Sequence, residues 1–275
     1  AAYLRLYFDR IFGADFSRML YFDADTRVRS DLSPLVNVDL DGYAVGAVHD
    51  FIYYVTGNIR RRRTDLFLGP DGTYLQSGVM VLDWPKVLEA DLLGQARTFL
   101  EEYPSRCFEA PDQDALNAVL KSDWRPLDPR WNLHETYLMF GGRHRPYIEH
   151  YTSTKPWSRL RPSAWDNAAA WYHKELADTA WSDFVEPVKF MDRLQSRAAF
   201  LRFRYAPKLR DALATNVPQV LRMMGKSPER SDDEELPWAP RNREDVETMT
   251  DALIEEAAGR RGPIRPPESA LKSPP

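Results

Sequence analysis

Residues 18–28, RMLYFDADTRV, set a run of large apolar residues directly before two carboxylates. The apolar run predicts a buried strand that ends at Asp23. Because successive side chains of an extended chain point to opposite faces, Asp23 and Asp25 share one face. Together they can bind a divalent cation such as Mg²⁺ or Mn²⁺, which takes oxygen ligands and often shares them with substrate phosphates. Acidic pairs at strand ends are also common as solvated turn residues, so the pair alone leaves both interpretations open.

Segments with strand character alternate with helical segments after this stretch. Residues 43–48 and 74–83 are apolar runs typical of buried strands. Residues 88–103 and 112–120 have helical period. This alternation predicts an α/β domain whose functional residues lie at the carboxyl ends of strands.

The same patterns divide the chain into three parts. We expect a catalytic domain over residues 1–170 and a helical extension, rich in basic and aromatic residues, over 171–224. Residues 225–275 are rich in proline and acidic residues, which predicts a poorly ordered tail with one helix at 245–258. Within the extension, residues 188–222 fit either a helix on an anionic membrane surface or a helix that packs on the catalytic domain.

Composition excludes several classes of protein. The 37 basic and 41 acidic residues give a net charge of −4, which predicts no nucleic-acid partner. The single cysteine, Cys107, excludes an intramolecular disulfide and fits a reducing compartment. We therefore expect a cytoplasmic location, with peripheral contact to the inner face of the membrane through residues 188–222 as an alternative. No stretch approaches the roughly 18 consecutive apolar residues of a membrane span.

A run of four arginines occupies residues 60–63. Runs of like charge usually face solvent, so we expect a solvated loop there, with contact to an anion or an acceptor as the alternative.

Four motifs follow one another along the chain: YFDAD at 21–25, QSGVMVL at 76–82, DQDALN at 112–117 and HYTSTKPW at 150–157. In this order and spacing they resemble family 8 glycosyltransferases, the retaining enzymes that include bacterial lipopolysaccharide galactosyl- and glucosyltransferases and the glycogenins. The resemblance implies a GT-A fold, with a mixed central sheet flanked by helices. It also implies transfer of galactose or glucose from a UDP-sugar held through Mn²⁺, or Mg²⁺, to a saccharide or lipid-linked saccharide acceptor.

The resemblance assigns metal and donor-binding residues. Asp23, Asp25 and His150 are the implied metal ligands. Two carboxylates with a neutral imidazole suit Mn²⁺ better than Mg²⁺, which prefers oxygen ligands. Lys155 is the implied contact of the diphosphate, where its ammonium group meets the negative charge of the leaving group. Arg5, in a Tyr-x-Arg-Leu pattern, is the implied arginine that reaches the donor.

By the same resemblance, Asp112 and Gln113 are the catalytic pair beneath the donor sugar. Asp112 would bind sugar hydroxyls, and Gln113 would lie on the ring face opposite the leaving group. Double displacement requires a nucleophile such as a carboxylate at that place. An amide is a poor nucleophile, which favours front-face substitution. The other implied substrate contacts are Asp50, Gln76, Ser77 and Gly78.

The chain departs from the family pattern at three places. Gln76 stands where the family usually has Asn, and the spacing from His150 to Lys155 is one residue shorter than usual. The family's first strand would precede residue 1, so we expect either that the sequence is N-terminally incomplete or that the protein has lost that strand. Two rival interpretations therefore remain. YFDAD also fits a haloacid-dehalogenase-type phosphatase with Asp23 as nucleophile and Asp25 as acid, and the missing strand fits a non-catalytic, degenerate glycosyltransferase domain.

Overall fold

The computed structural model describes residues 2–50, 53, 59–107, 110–134, 137, 142–152, 155–160, 166–184, 186, 188, 190–191, 194 and 243–259. The chain divides into two compact units, the first formed by residues 1–150 with 242–275 and the second by residues 151–241.

The first unit combines two sheets with helices. Its strands are β1 (Arg18–Phe22), β2 (Thr26–Val28), β3 (Val45–His49), β4 (Leu75–Asp83), β5 (Arg125–Pro126), β6 (Leu133–His134) and β7 (Ile148–His150). Its α-helices are α1 (Phe8–Ile11), α2 (Ser33–Val36), α3 (Ile59–Asp65), α4 (Trp84–Glu89), α5 (Leu92–Glu102) and α6 (Pro111–Leu120), and 3-10 turns span Ala2–Tyr7 and Pro129–Asn132. Two further helices are α7 (Asp166–Leu176), in the second unit, and α8 (Arg243–Ala257).

The register of the main sheet brings the end of β1 against the middle of β4, with Phe22 opposite Val79. The strand order is β1–β4–β3–β5, with β1 and β3 antiparallel to β4, and β5 parallel to β3. β1 is paired with β4 as far as its last residue, Phe22. Asp23 comes next in the sequence and also contacts β4, because its N–H donates to Gly78 O at 2.7 Å. Asp50, directly after β3, donates to Tyr74 O at 2.9 Å. The predicted strand that ends at Asp23 is confirmed, and Asp50 lies at the same end of the sheet.

A second, smaller sheet brings His150 to the two carboxylates. Its strand order is β2–β7–β6. β2 begins directly after Asp25, and its antiparallel pairing with β7 aligns Thr26 with His150. The turn between β1 and β2 and the last residue of β7 are therefore neighbours.

β4 is the central strand, and its side chains are buried at every position except the last. The pairing of β3 with β4 shifts between Ala47 and Val48 and passes over residues 77–79 of β4. Such irregularities are frequent next to active sites, where they redirect polar groups. Here the Ser77 N–H lies outside the pairing with β3 and donates to Gln113 Oε1 at 2.9 Å instead.

The arginine run lies on a helix, α3, rather than in the solvated loop that the sequence predicts. The Arg62 side chain is only 1% exposed, and its guanidinium group pairs with the fully buried carboxylate of Asp114 on α6. The prediction was wrong because a helix turns successive residues in different directions, so one residue of a charged run can point into the core.

Helix α8 belongs to the first unit and lies within the segment that the sequence predicts to be a tail. It is amphipathic, and Val246, Met249 and Leu253 are buried. Glu256 Oε2 lies 2.9 Å from Nε2 of His49, the last residue of β3. α8 therefore packs on the unit that carries the carboxylate pair.

The second unit is described around helix α7. Trp157 stacks on Tyr172 with ring centroids 4.5 Å apart, and Ser158 Oγ donates to Glu186 Oε2 at 2.9 Å. Most of residues 188–222 lie outside the described residues, so both interpretations of that segment stay predictions. Within the described ranges, no helix combines the length and the apolar character needed to cross a bilayer.

Candidate active site

Three potential metal ligands meet where β1 and β7 end. Asp23, Asp25 and His150 each place one ligand atom within 4.8 Å of the others. His150 Nε2 lies 3.2 Å from Asp25 Oδ1 and 3.7 Å from Asp23 Oδ2. The histidine is buried and both carboxylates are half-buried. Two carboxylates with one imidazole fit a divalent transition metal such as Mn²⁺. The structure thus brings the three predicted ligands together.

The two oxygens of Asp23 have different neighbours. Oδ1 accepts hydrogen bonds from Tyr21 Oη at 2.6 Å and from Arg5 Nη2 at 2.7 Å, whereas Oδ2 lies toward His150. Burial, together with the bond to Asp23, raises the pKa of Tyr21, so the phenol keeps its proton and remains a donor. Asp23 is therefore anchored through one oxygen and turns the other toward the ligand cluster.

Arg5 joins the ligand cluster to α6. Its Nη1 donates to Ser77 O at 2.7 Å and to Ser77 Oγ at 2.8 Å, and its Nε lies 2.8 Å from Asp112 Oδ2. The buried guanidinium of Arg5 thus lies between the carboxylates of Asp23 and Asp112, which would otherwise repel each other. The sequence predicts that Arg5 reaches the donor. In the structure its guanidinium positions other site residues, and a donor contact stays a prediction.

Gly78 lies where the site has no room for a side chain. A Cβ at this position would lie 2.2 Å from His150 Cε1, 2.7 Å from Asp23 Oδ2 and 2.9 Å from Gln76 Oε1. The backbone of β4 therefore forms one wall of the ligand cluster. This explains the small Ser-Gly pair, which permits close approach to a strand.

The carboxamide of Gln113 is hydrogen-bonded through both of its polar atoms. Oε1 accepts from Ser77 N at 2.9 Å and from Ser77 Oγ at 3.2 Å. Nε2 donates to Asp50 Oδ2 at 2.8 Å and to Tyr74 Oη at 3.1 Å. Because a backbone N–H can only donate, the contact with Ser77 fixes which atom of the amide is the oxygen. The predicted residues Asp50, Ser77 and Gln113 therefore form one network.

A buried ion pair behind Gln113 is absent from the predicted site residues. The two oxygens of Asp114 each lie 3.1 Å from Arg62 Nη1, and Oδ1 accepts from Tyr74 Oη at 2.7 Å. Burial raises the pKa of Asp114, and the hydrogen bonds from Tyr74 and Arg62 oppose that shift. Since Tyr74 also accepts from Gln113, the ion pair supports the amide from behind. The only sequence signal for it was the arginine run.

Lys155 is the predicted site residue that belongs to the second unit. Its Nζ donates to Tyr151 O at 2.6 Å and to Thr152 O at 3.1 Å. Its contact with a diphosphate stays a prediction. Gln76 Oε1 accepts from Gly78 N at 2.6 Å. With this contact and those described above, the other predicted site residues are joined within the first unit: Arg5, Asp23, Asp25, Asp50, Gln76, Ser77, Gly78, Asp112, Gln113 and His150.

The fold and the ligand cluster define a class of protein. The structure is similar to that of the galactosyltransferase LgtC in complex with donor and acceptor sugar analogs, with a TM-score of 0.52 and 23% identity, over 70% of this chain and 69% of that one. The fold is therefore of the GT-A type, as predicted. The family model "Glycosyl transferase family 8" matches residues 1–161. This chain belongs to glycosyltransferase family 8.

Two relatives illustrate this membership. General stress protein A of Bacillus subtilis (strain 168) is 32% identical over 205 residues, which cover 68% of this chain and 68% of that protein. Lipopolysaccharide 1,2-glucosyltransferase of Escherichia coli (strain K12) is 27% identical over 197 residues, which cover 66% of this chain but only 56% of the relative. The chain thus spans little more than half of the second relative. Family membership overturns the phosphatase interpretation of YFDAD.

Proposed function

We propose that this chain transfers glucose or galactose from a UDP-sugar to a saccharide or lipid-linked saccharide, with retention at the anomeric carbon. The observation that supports this function is the chain of contacts from the cluster of Asp23, Asp25 and His150, through Arg5, to the catalytic helix α6. The similarity to a glucosyltransferase of lipopolysaccharide supports a hexose donor and a glycan acceptor.

We propose Mn²⁺ as the cation for this cluster. The imidazole nitrogen of His150 favours Mn²⁺ over Mg²⁺, and the absence of a side chain at Gly78 keeps space beside the ligands. When bound, the cation supplies positive charge that stabilises the diphosphate leaving group. The chain contributes the orientation: Arg5 and Tyr21 hold one oxygen of Asp23 and leave the other available.

The environment of Gln113 supports front-face substitution. Its Oε1 already accepts two hydrogen bonds, so no lone pair remains for attack on an anomeric carbon. We propose instead that the acceptor hydroxyl attacks from the side of the departing diphosphate. The sugar–diphosphate C–O bond breaks, the new C–O bond forms, and a diphosphate oxygen takes the acceptor's proton. Asp112, oriented by Arg5, would accept hydrogen bonds from the sugar hydroxyls.

Release of UDP tests the function. We expect the wild-type chain to release UDP from UDP-glucose or UDP-galactose only with Mn²⁺ present, and Asp25→Asn to lower that rate by roughly 100-fold or more. Asp25 is preferred to Asp23, whose replacement would also remove the partner of Arg5 and Tyr21. The control is Asp31→Asn, an exposed carboxylate that binds Ser33.

The possible outcomes separate the remaining interpretations. UDP release that is independent of metal, or equal in Asp25→Asn, contradicts the proposed site. Mn²⁺-dependent binding of UDP without release from any donor indicates the non-catalytic domain instead.

Stereochemistry tests the mechanism separately. An α-linked UDP-sugar should give an α-linked product, because front-face substitution leaves the anomeric configuration unchanged. The coupling constant of the new anomeric proton, measured by NMR on the product, distinguishes the two anomers. A β-linked product rules out front-face substitution.

A further inference from the structure

We propose that Asn132 is a positioning residue that fixes the tautomer of the metal ligand His150 and the orientation of the Gln76 amide. It acts through one chain of hydrogen bonds whose direction is set by the backbone N–H of Gly78. The inference deepens the proposed function, since it concerns the same ligand cluster. The sequence analysis gives Asn132 no role.

The series of hydrogen bonds begins at the backbone N–H of Gly78, a group that can only donate. Gly78 N lies 2.6 Å from Gln76 Oε1, so the atom of Gln76 at this place must be the amide oxygen. Asn132 Nδ2 lies 2.6 Å from the same oxygen. Because an amide oxygen only accepts, Asn132 must turn its NH₂ group toward Gln76. One backbone N–H thereby fixes the orientation of two side-chain amides.

The direction then passes to the histidine. Asn132 Oδ1 lies 2.8 Å from His150 Nδ1. Since this oxygen can only accept, Nδ1 must carry the proton. In the neutral form of the ring, which is the form that binds a metal, the proton on Nδ1 leaves the lone pair on Nε2, and Nε2 lies 3.7 Å from Asp23 and 3.2 Å from Asp25. This is the tautomer that a metal ligand at Nε2 requires.

Burial makes the arrangement specific. Asn132 and His150 are each 1% exposed and Gln76 is 7% exposed, so water cannot substitute for a lost partner. A reversed Asn132 amide would set oxygen against the oxygen of Gln76 and NH₂ against Nδ1–H, and buried polar groups without partners are costly. The same hydrogen bonds determine which group of Gln76 can contact a ligand, because its Oε1 already accepts from both Gly78 and Asn132. No acceptor for the NH₂ group of Gln76 is present among the described residues. This NH₂ group therefore remains as a donor for substrate oxygens.

Two variants separate positioning from packing. Asn132→Leu keeps the branched shape of the side chain, with larger end groups, and removes both hydrogen bonds. Asn132→Asp keeps an acceptor for His150 Nδ1–H and loses the donor to Gln76. The matched control is Asn37→Leu, an exposed amide that donates to Ser33 O.

The primary readout needs neither UDP-sugar nor metal. Long-range ¹⁵N–¹H correlation spectra of metal-free protein with labelled histidine show which ring nitrogen is protonated. The chain has 5 histidines, and the signal of His150 is the one lost in His150→Ala. We expect Nδ1 of the neutral ring to carry the proton in the wild type and in Asn132→Asp, and Nε2 of the neutral ring to carry it in Asn132→Leu. Mn²⁺ affinity, measured by calorimetry, should fall roughly 10- to 100-fold in Asn132→Leu and far less in Asn132→Asp.

A packing role alone would lower thermal stability without moving the ring proton. Nδ1 unprotonated in the wild type overturns the inference even if Asn132→Leu does not fold. An unchanged tautomer and unchanged affinity in a folded Asn132→Leu protein overturn it equally. Because the tautomer is read without substrate, the result is independent of whether UDP release is observed.

Discussion

Gly78→Ala should weaken Mn²⁺ binding by about 100-fold and slow UDP release correspondingly while the chain still folds. The added Cβ would lie 2.2 Å from the His150 ring, 2.7 Å from Asp23 Oδ2 and 2.9 Å from Gln76 Oε1. None of these atoms can move cheaply. Asn132 holds the ring, Arg5 and Tyr21 hold Asp23, and two donors hold the Gln76 oxygen.

The added methyl group of Gly78→Ala should lower Mn²⁺ affinity more than it lowers the stability of the fold. Overpacking of this kind costs about 1–3 kcal/mol of stability. Displaced ligands should lower Mn²⁺ affinity by about 100-fold, the upper end of what loss of ligand support produces. The matched control is Gly13→Ala, whose Cβ would meet only the side chain of Asp15 at 3.3 Å. Wild-type Mn²⁺ affinity in Gly78→Ala, measured by calorimetry, would show that the cation does not lie beside β4.

The ligand cluster could be predicted because its parts lie in short motifs. Asp23 and Asp25 follow an apolar run. His150 is far from them in the sequence, but the family resemblance assigns it to the same metal site. The structure adds the reason for the convergence, which is the register of β7 against β2 and of β1 against β4.

Other parts of the site could not be predicted, because local sequence does not reveal a distant partner. Asp114 and Arg62 are 52 positions apart, and each looks like a solvated residue in its own segment. Asn132 belongs to no pattern of spacing at all. The irregular pairing of β4 that frees the Ser77 N–H leaves the apolar pattern of the strand unchanged. These features depend on tertiary packing, and only the fold discloses them.

The ion pair between Arg62 and Asp114 should respond asymmetrically to the loss of either partner. Asp114→Asn leaves a buried guanidinium, which cannot lose its proton because arginine stays protonated throughout the pH range in which proteins fold. Breaking a buried pair in this way costs about 3–5 kcal/mol. Asp65 lies 3.5 Å from Arg62 and keeps part of its charge compensated, so we expect the lower end of that range. The Arg62→Met variant should lose less, since the remaining carboxylic acid can take up a proton.

This difference gives the Arg62→Met variant a distinctive dependence on pH. Burial already raises the pKa of Asp114, and removing Arg62 takes away an interaction that opposes the shift. In the variant the native state therefore binds more protons than the unfolded state, so its free energy of unfolding falls as pH rises. The destabilisation of Arg62→Met relative to the wild type should therefore become smaller as pH is lowered from neutrality.

Urea unfolding of the full chain at several pH values measures both effects. The double variant Arg62→Met with Asp114→Leu should recover much of the stability lost in Asp114→Asn, because an apolar pair of similar volume often replaces a buried ion pair without loss. Both single variants should also slow UDP release, since Tyr74 links the ion pair to Gln113. Equal destabilisation by the two single variants at every pH would contradict a charge that is buried and paired. It would place the contribution of Arg62 in packing alone, and the support of Gln113 would then have to come from Asp50 and Ser77.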